Sequence, residues 1–82
     1  MMYVVTNLTD NSSKSFNSFE ESADFIKKHV EEMTYDLYNS DSIDKYAVED
    51  ILFDIESHIK KNNGYSHPDI SDVWEIKKVK GN

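Results

Sequence analysis

Two stripes of apolar residues constrain the fold of this chain more than any other feature. Phe19, Ala23, Ile26, Val30, Met33 and Leu37 recur at alternating steps of four and three. Ala47, Val48, Ile51, Leu52, Ile55 and Ile59 share one side of a second helical projection. Spacing near the helical period predicts two amphipathic helices, each with one face that must be covered. Ser18-Phe19-Glu20-Glu21 reads as a capping box, in which Ser18 accepts from the backbone of Glu21 and the Glu21 side chain reaches back. Asn39-Ser40-Asp41-Ser42 breaks the first stripe and offers N-caps for a second helix over about 42–62, which Asn62-Asn63-Gly64 ends. A short connection between adjacent helices predicts an antiparallel hairpin.

The flanks of this hairpin read as strands. Met2, Val4 and Leu8 alternate with Tyr3 and Val5, with β-branched residues at Val4, Val5 and Thr6. Asp10-Asn11-Ser12-Ser13 predicts a turn, because short polar side chains bond their own backbone there. Lys14-Ser15-Phe16 can return as a short second strand with Phe16 inward. Tyr65-Ser66-His67-Pro68-Asp69 reads as a loop anchored by Ile70, and Asp72 to Lys77 as a strand with Trp74 and Ile76 facing one way. Lys78 to Asn82 is expected to fray. The expected architecture is a single β(β)ααβ domain of the α+β class, with a two- or three-stranded sheet covered on one face by the helix pair. Its expected core holds Val4, Phe16, Phe19, Ile26, Val30, Met33, Leu37, Val48, Ile51, Leu52, Ile55, Ile59, Trp74 and Ile76.

With 82 residues and no cysteine, that core has neither a disulfide nor a thiolate metal site behind it. The start Met1-Met2-Tyr3-Val4-Val5 has neither a basic region nor a long apolar run. We therefore expect an unanchored cytoplasmic chain, in the host-cell cytoplasm if it is phage-encoded.

Charge narrows the partner classes. The net charge is −7, all nine basic residues are lysine, and arginine is missing. This disfavours direct nucleic-acid binding, which leans on clustered basic side chains and on the guanidinium fork, and it disfavours an anionic membrane. Between Glu31 and Glu56 nine carboxylates face Lys45 alone. Asp24–Lys28, Lys27–Glu31 and Lys28–Glu32 are spaced for i,i+4 pairing. By contrast, Glu31, Glu32 and Asp36 sit toward a helix C-terminus, where the macrodipole disfavours acids.

Motifs for chemistry are scarce. Gly64 and Gly81 are the only glycines, so a glycine-rich phosphate loop cannot form. No Ser–His spacing resembles a nucleophile elbow or triad. His29, His58 and His67 lie on separate elements without metal-ligand spacing. Asn39-x-Asp41 lacks the glycine of a calcium loop, and Ile43 stands at a ligand position. The acidic doublets Glu20-Glu21, Glu31-Glu32 and Glu49-Asp50 are helix neighbours that do not face each other. We expect no catalysis, no metal and no cofactor.

Two features point to protein binding. Tyr46 and Phe53 fall opposite the second apolar stripe, beside Glu49, Asp50 and Asp54, and Tyr35 falls opposite the first, near Glu31, Glu32 and Asp36. An aromatic anchor ringed by carboxylates has the composition of an interface, and the alternative is that this ridge packs on the sheet while the other stripe joins the two helices. Acids on successive helix turns can also mimic the charge ladder of nucleic acid. In size and charge the chain resembles phage-encoded anti-restriction, anti-CRISPR and glycosylase-inhibitor proteins, a likeness of type and not of motif. The expected function is a non-enzymatic inhibitor that binds a nucleic-acid-handling protein with a basic surface. The alternative is a structural or assembly protein that homodimerises through the Tyr46/Phe53 ridge.

Overall fold

A computed structural model of the protein describes residues 1–80. The element order is β1 (Met2–Asn7), β2 (Ser13–Phe16), α1 (Phe19–Asn39), α2 (Lys45–Asn62), β3 (Gly64–His67) and β4 (Ile70–Val79). The strands form one antiparallel sheet in the order β2-β1-β4-β3. The fold is thus an α+β domain in which two β-hairpins flank a helical hairpin, and the first and last strands meet in the middle of the sheet. Gly81 and Asn82, the end of the segment expected to fray, lie outside the described residues. Lys78 and Val79 do not fray: they pair with Tyr3 and Met2.

Among the described residues the sheet has four strands where two or three were expected. The extra strand, β3, occupies most of the stretch read as a loop, and Pro68 and Asp69 form the turn into β4. Gly-Tyr-Ser-His has one apolar residue and no alternation, so its pairing with β4 comes from the neighbouring backbone and not from local pattern. Gly64 shows how close the approach is. A Cβ there would run into the backbone oxygen of Trp74, whereas the left-handed residue that ends α2 is Asn63, at φ 51°. Gly64 therefore serves strand contact, and Asn63 serves the helix stop.

The phase of β1 is also corrected. Val5, not Val4, is in the core, at 2% exposure, and Val4 is half-buried on the opposite sheet face. Both phases of Met-Tyr-Val-Val carry apolar residues, so alternation alone cannot choose between them. Pairing decides: Val5 lies opposite Ile76 on one side and Lys14 on the other, and the Tyr3 ring meets Phe19 edge-on at 6.1 Å. A one-residue slip would reverse every side chain of the strand.

Both helices carry the expected faces. Ala23, Ile26 and Val30 of α1 and Ile51, Ile55 and Ile59 of α2 are buried together with Tyr65, Ile70, Trp74 and Ile76, while Phe16, Phe19, Met33 and Leu37 pack at the margin. Val48 and Leu52 are half-buried. Ser22 and Thr34 are buried without penalty, because their hydroxyls donate to the carbonyls of Ser18 (3.0 Å) and Val30 (2.6 Å). Ser18 accepts from the Glu21 N–H at 3.1 Å, one half of the expected capping box; the return bond to the Glu21 carboxylate is not formed, and that side chain stays in water. The N-cap of α2 is Asp44, accepting from Ala47 N–H at 2.9 Å, rather than a residue of the 39–42 break. The i,i+4 pairs expected along α1 are not closed within 4.0 Å, whereas Glu56–Lys60 on α2 is, at 3.7 Å. Exposed pairs gain little over hydration, so spacing permits them without enforcing them.

Placement of the layers sets up the surface. α1 packs against all four strands, and α2 packs against α1 and β3. The start of α1 lies beside the end of α2, where Phe19, Glu20, Ala23, Glu56 and Lys60 share a groove, so the helices are antiparallel.

Candidate functional site

α2 closes the β3 side of the helical layer, and its outward face is unpartnered. At about 100° per residue, Tyr46 and Phe53 lie opposite Ile51, Ile55 and Ile59. Tyr46 is 77% exposed and Phe53 91% exposed, whereas the three isoleucines are buried. Glu49, Asp50, Asp54 and Glu56 all fall within one turn of Phe53 and are exposed. A nearly naked phenylalanine ring thus stands inside a frame of four carboxylates.

The nine residues singled out from sequence do not make one continuous patch. Tyr46, Glu49 and Phe53 share the outer face of α2, and Tyr35, half exposed, stands on the outer face of α1. Glu31 is half-buried on the flank of α1 nearer α2. Glu32 and Asp36 are exposed on the other flank, where Asp36 borders a groove with Met33, Leu37, Asp69 and Ser71. The acidic run is one block in sequence but wraps around the helical layer in space.

Asp50 and Asp54 have a second set of neighbours that sequence reading missed. Together with His58 they form an i, i+4, i+8 row on the flank of α2 that faces β3. Asp54 Oδ2 lies 3.8 Å from His58 Nδ1, and Asp50 Oδ2 lies 3.5 Å from His67 Nε2. The Asp69 N–H donates to His67 Nδ1 at 3.0 Å, so in the neutral ring the proton sits on Nε2, facing Asp50. The His58 ring packs on Tyr65 with centroids 5.0 Å apart. The Asp54–His58 spacing is legible on the helix, but the approach of His67 depends on β3, whose residues carry no strand pattern. Among the described residues no group of three or more metal-ligating side chains converges.

Tyr65 responds to this surrounding. Burial first, then the negative charges of Asp54 and Asp50, push its phenol up to about 12. An unfolded chain ionises tyrosine near about 10, so it loses this proton before the folded protein does. The contribution of Tyr65 to stability is therefore complete below pH ~10 and falls as the pH rises through ~12. A phenolate absorbance titration should show a step near pH 12 that Tyr65→Phe lacks, and the variant should keep its melting temperature further into the alkaline range. Identical alkaline titrations for the two proteins would refute this account.

Compared with known protein families, characterised proteins and solved structures, the chain matches none. No helix among the described residues is long and apolar enough to cross a membrane.

Proposed function

We propose that the protein is a non-enzymatic, stoichiometric inhibitor that docks the outer face of α2 onto a basic surface of a nucleic-acid-handling protein. The observation that carries this reading is the Phe53 ring, 91% exposed inside a frame of carboxylates. Burying a phenylalanine side chain stabilises by about 1.5–3 kcal/mol, which suits an anchor seated in an apolar pocket. Glu49, Asp50 and Asp54 form the rim that selects a positively charged partner and speeds encounter. A phage-type anti-restriction or anti-CRISPR inhibitor is the narrowest form of the reading, and size and charge alone support it. Self-association through the same ridge is the alternative. Two copies meeting across a two-fold axis would set like carboxylates against each other, so charge favours a basic partner.

The test is affinity capture from the native host with wild type, Phe53→Ala, and a variant with Glu49, Asp50 and Asp54 changed to lysine. The expected result is one dominant nucleic-acid-binding protein that nucleic acid competes away. Both variants should lose it, and binding should weaken with salt, because exposed charges are screened beyond about 10 Å at 0.1 M. Capture indifferent to salt and to the charge reversal would remove the electrostatic reading. A wild-type dimer at micromolar concentration that Phe53→Ala dissociates would replace the inhibitor by the assembly reading.

A further inference from the structure

The helices do not cover the sheet evenly. α2 sits over β3 and beside α1, so among the described residues the corner above β2 and the start of β4 is roofed only by Phe25 and His29, on the flank of α1 turned away from α2. Below them lies a cleft of about 360 Å³, floored by Trp74 and walled by Lys14, Asp72 and Asp10. Small-molecule sites begin at roughly this size, about 300 Å³. His29 Nδ1 donates to the Phe25 carbonyl at 2.9 Å, which leaves Nε2 with a lone pair in the neutral ring.

The charges in this cleft are separated. Lys14 Nζ lies 5.3 Å over the Phe25 ring and 5.7 Å over Phe16, and among the described residues no carboxylate lies within 4.0 Å of it. Acids outnumber lysines by 16 to 9, and both Asp10 and Asp72 line the same cleft. An ammonium held on aromatic faces while carboxylates stand apart from it leaves a gap between opposite charges, over an apolar floor. A ligand with one charge would meet one wall and leave the other unanswered. A zwitterion meets both. Lys14 is on β2 and Asp72 on β4, with β1 between them, so a ligand that reaches both must be longer than a free amino acid, whose two charges share one carbon; an extended dipeptide separates its termini by up to about 7 Å.

We propose that this cleft binds small zwitterions with an apolar body, of the class of free dipeptides, with the carboxylate on Lys14, the ammonium on Asp72 and the side chain over Trp74 and Phe25. The site is independent of the α2 ridge. Trp74 is the only tryptophan in the chain and forms the cleft floor, so its fluorescence reads occupancy directly.

The experiment titrates the full chain with alanyl-phenylalanine, with its N-acetyl and C-amide forms, and with the doubly blocked form. The expected result is a saturable change in Trp74 emission with the free dipeptide, weakened at least tenfold by either single block, and weakened likewise in Lys14→Met and Asp72→Asn. No saturable change up to about 10 mM, where even millimolar affinity would register, would overturn the proposal. Equal binding of the doubly blocked form would overturn it too, since it would reduce the cleft to an apolar hollow. The blocked peptides act on wild-type protein, so the decision does not depend on whether either variant folds.

Discussion

Replacing Ile51 by alanine is expected to lower the stability of the domain by about 2–5 kcal/mol. The side chain is 1% exposed and packs in the single core that α2 shares with α1 and the sheet. Truncation removes three carbons from contact and leaves a cavity that neighbours on two layers cannot both close. A domain of this length holds roughly 4–12 kcal/mol in total, so the loss is a large part of the whole. Ile26, fully buried on α1, should behave alike. Thermal or urea melts read the effect. A midpoint unchanged in both variants would mean that neither helix is oriented as described.

Phe53→Ala is expected to do the opposite: leave stability within about 0.5 kcal/mol while costing about 2 kcal/mol or more of partner affinity. Phe53 and Ile51 are two residues apart on the same helix, and both are large and apolar. They differ by some 200° of helical rotation and by whether water or protein surrounds the side chain. The pair is thus an internal control, since any general effect of truncating α2 would appear in both. A Phe53→Ala melt lowered as far as that of Ile51→Ala would place the ring in the core. A melt unchanged together with binding unchanged would leave the ring exposed but remove it as an anchor.

That Ile51 and Phe53 fall on opposite sides of α2 is legible in the sequence, because helical geometry is local, whereas packing decides that water and not the sheet meets the Phe53 side. Each residue of a helix advances by the same angle, so spacing alone assigns Ile51, Ile55 and Ile59 to one side and Tyr46 and Phe53 to the other. Capping is local as well, and the Ser18–Glu21 bond formed where the residue types placed it. The turn at Asp10 is of the same kind: the Ser12 hydroxyl and N–H donate to its carboxylate at 2.6 and 2.9 Å, and this holds the carboxyl below its ordinary range.

The sheet was less legible because strands are completed by distant partners. Val4 and Val5 are chemically the same, and only the register against Ile76 and Lys14 selects which one is buried. β3 carries too little apolar pattern to announce itself; it exists because β4 offers an edge and Gly64 lets the backbones close. The Asp50–His67 contact and the cleft under Phe25 and His29 follow from where the layers sit. The two helices, their buried faces and the acid-ringed aromatic side opposite the α2 stripe are readable from residue order, because they depend on residues within a few turns of one another. Packing at long range set the phase of β1, the fourth strand, the exposure of Tyr46 and Phe53, the scattering of the acidic run around the helical layer and the thinly covered corner of the sheet. Each of these depends on backbone pairing or layer placement between residues far apart in the chain, and no local pattern encodes that.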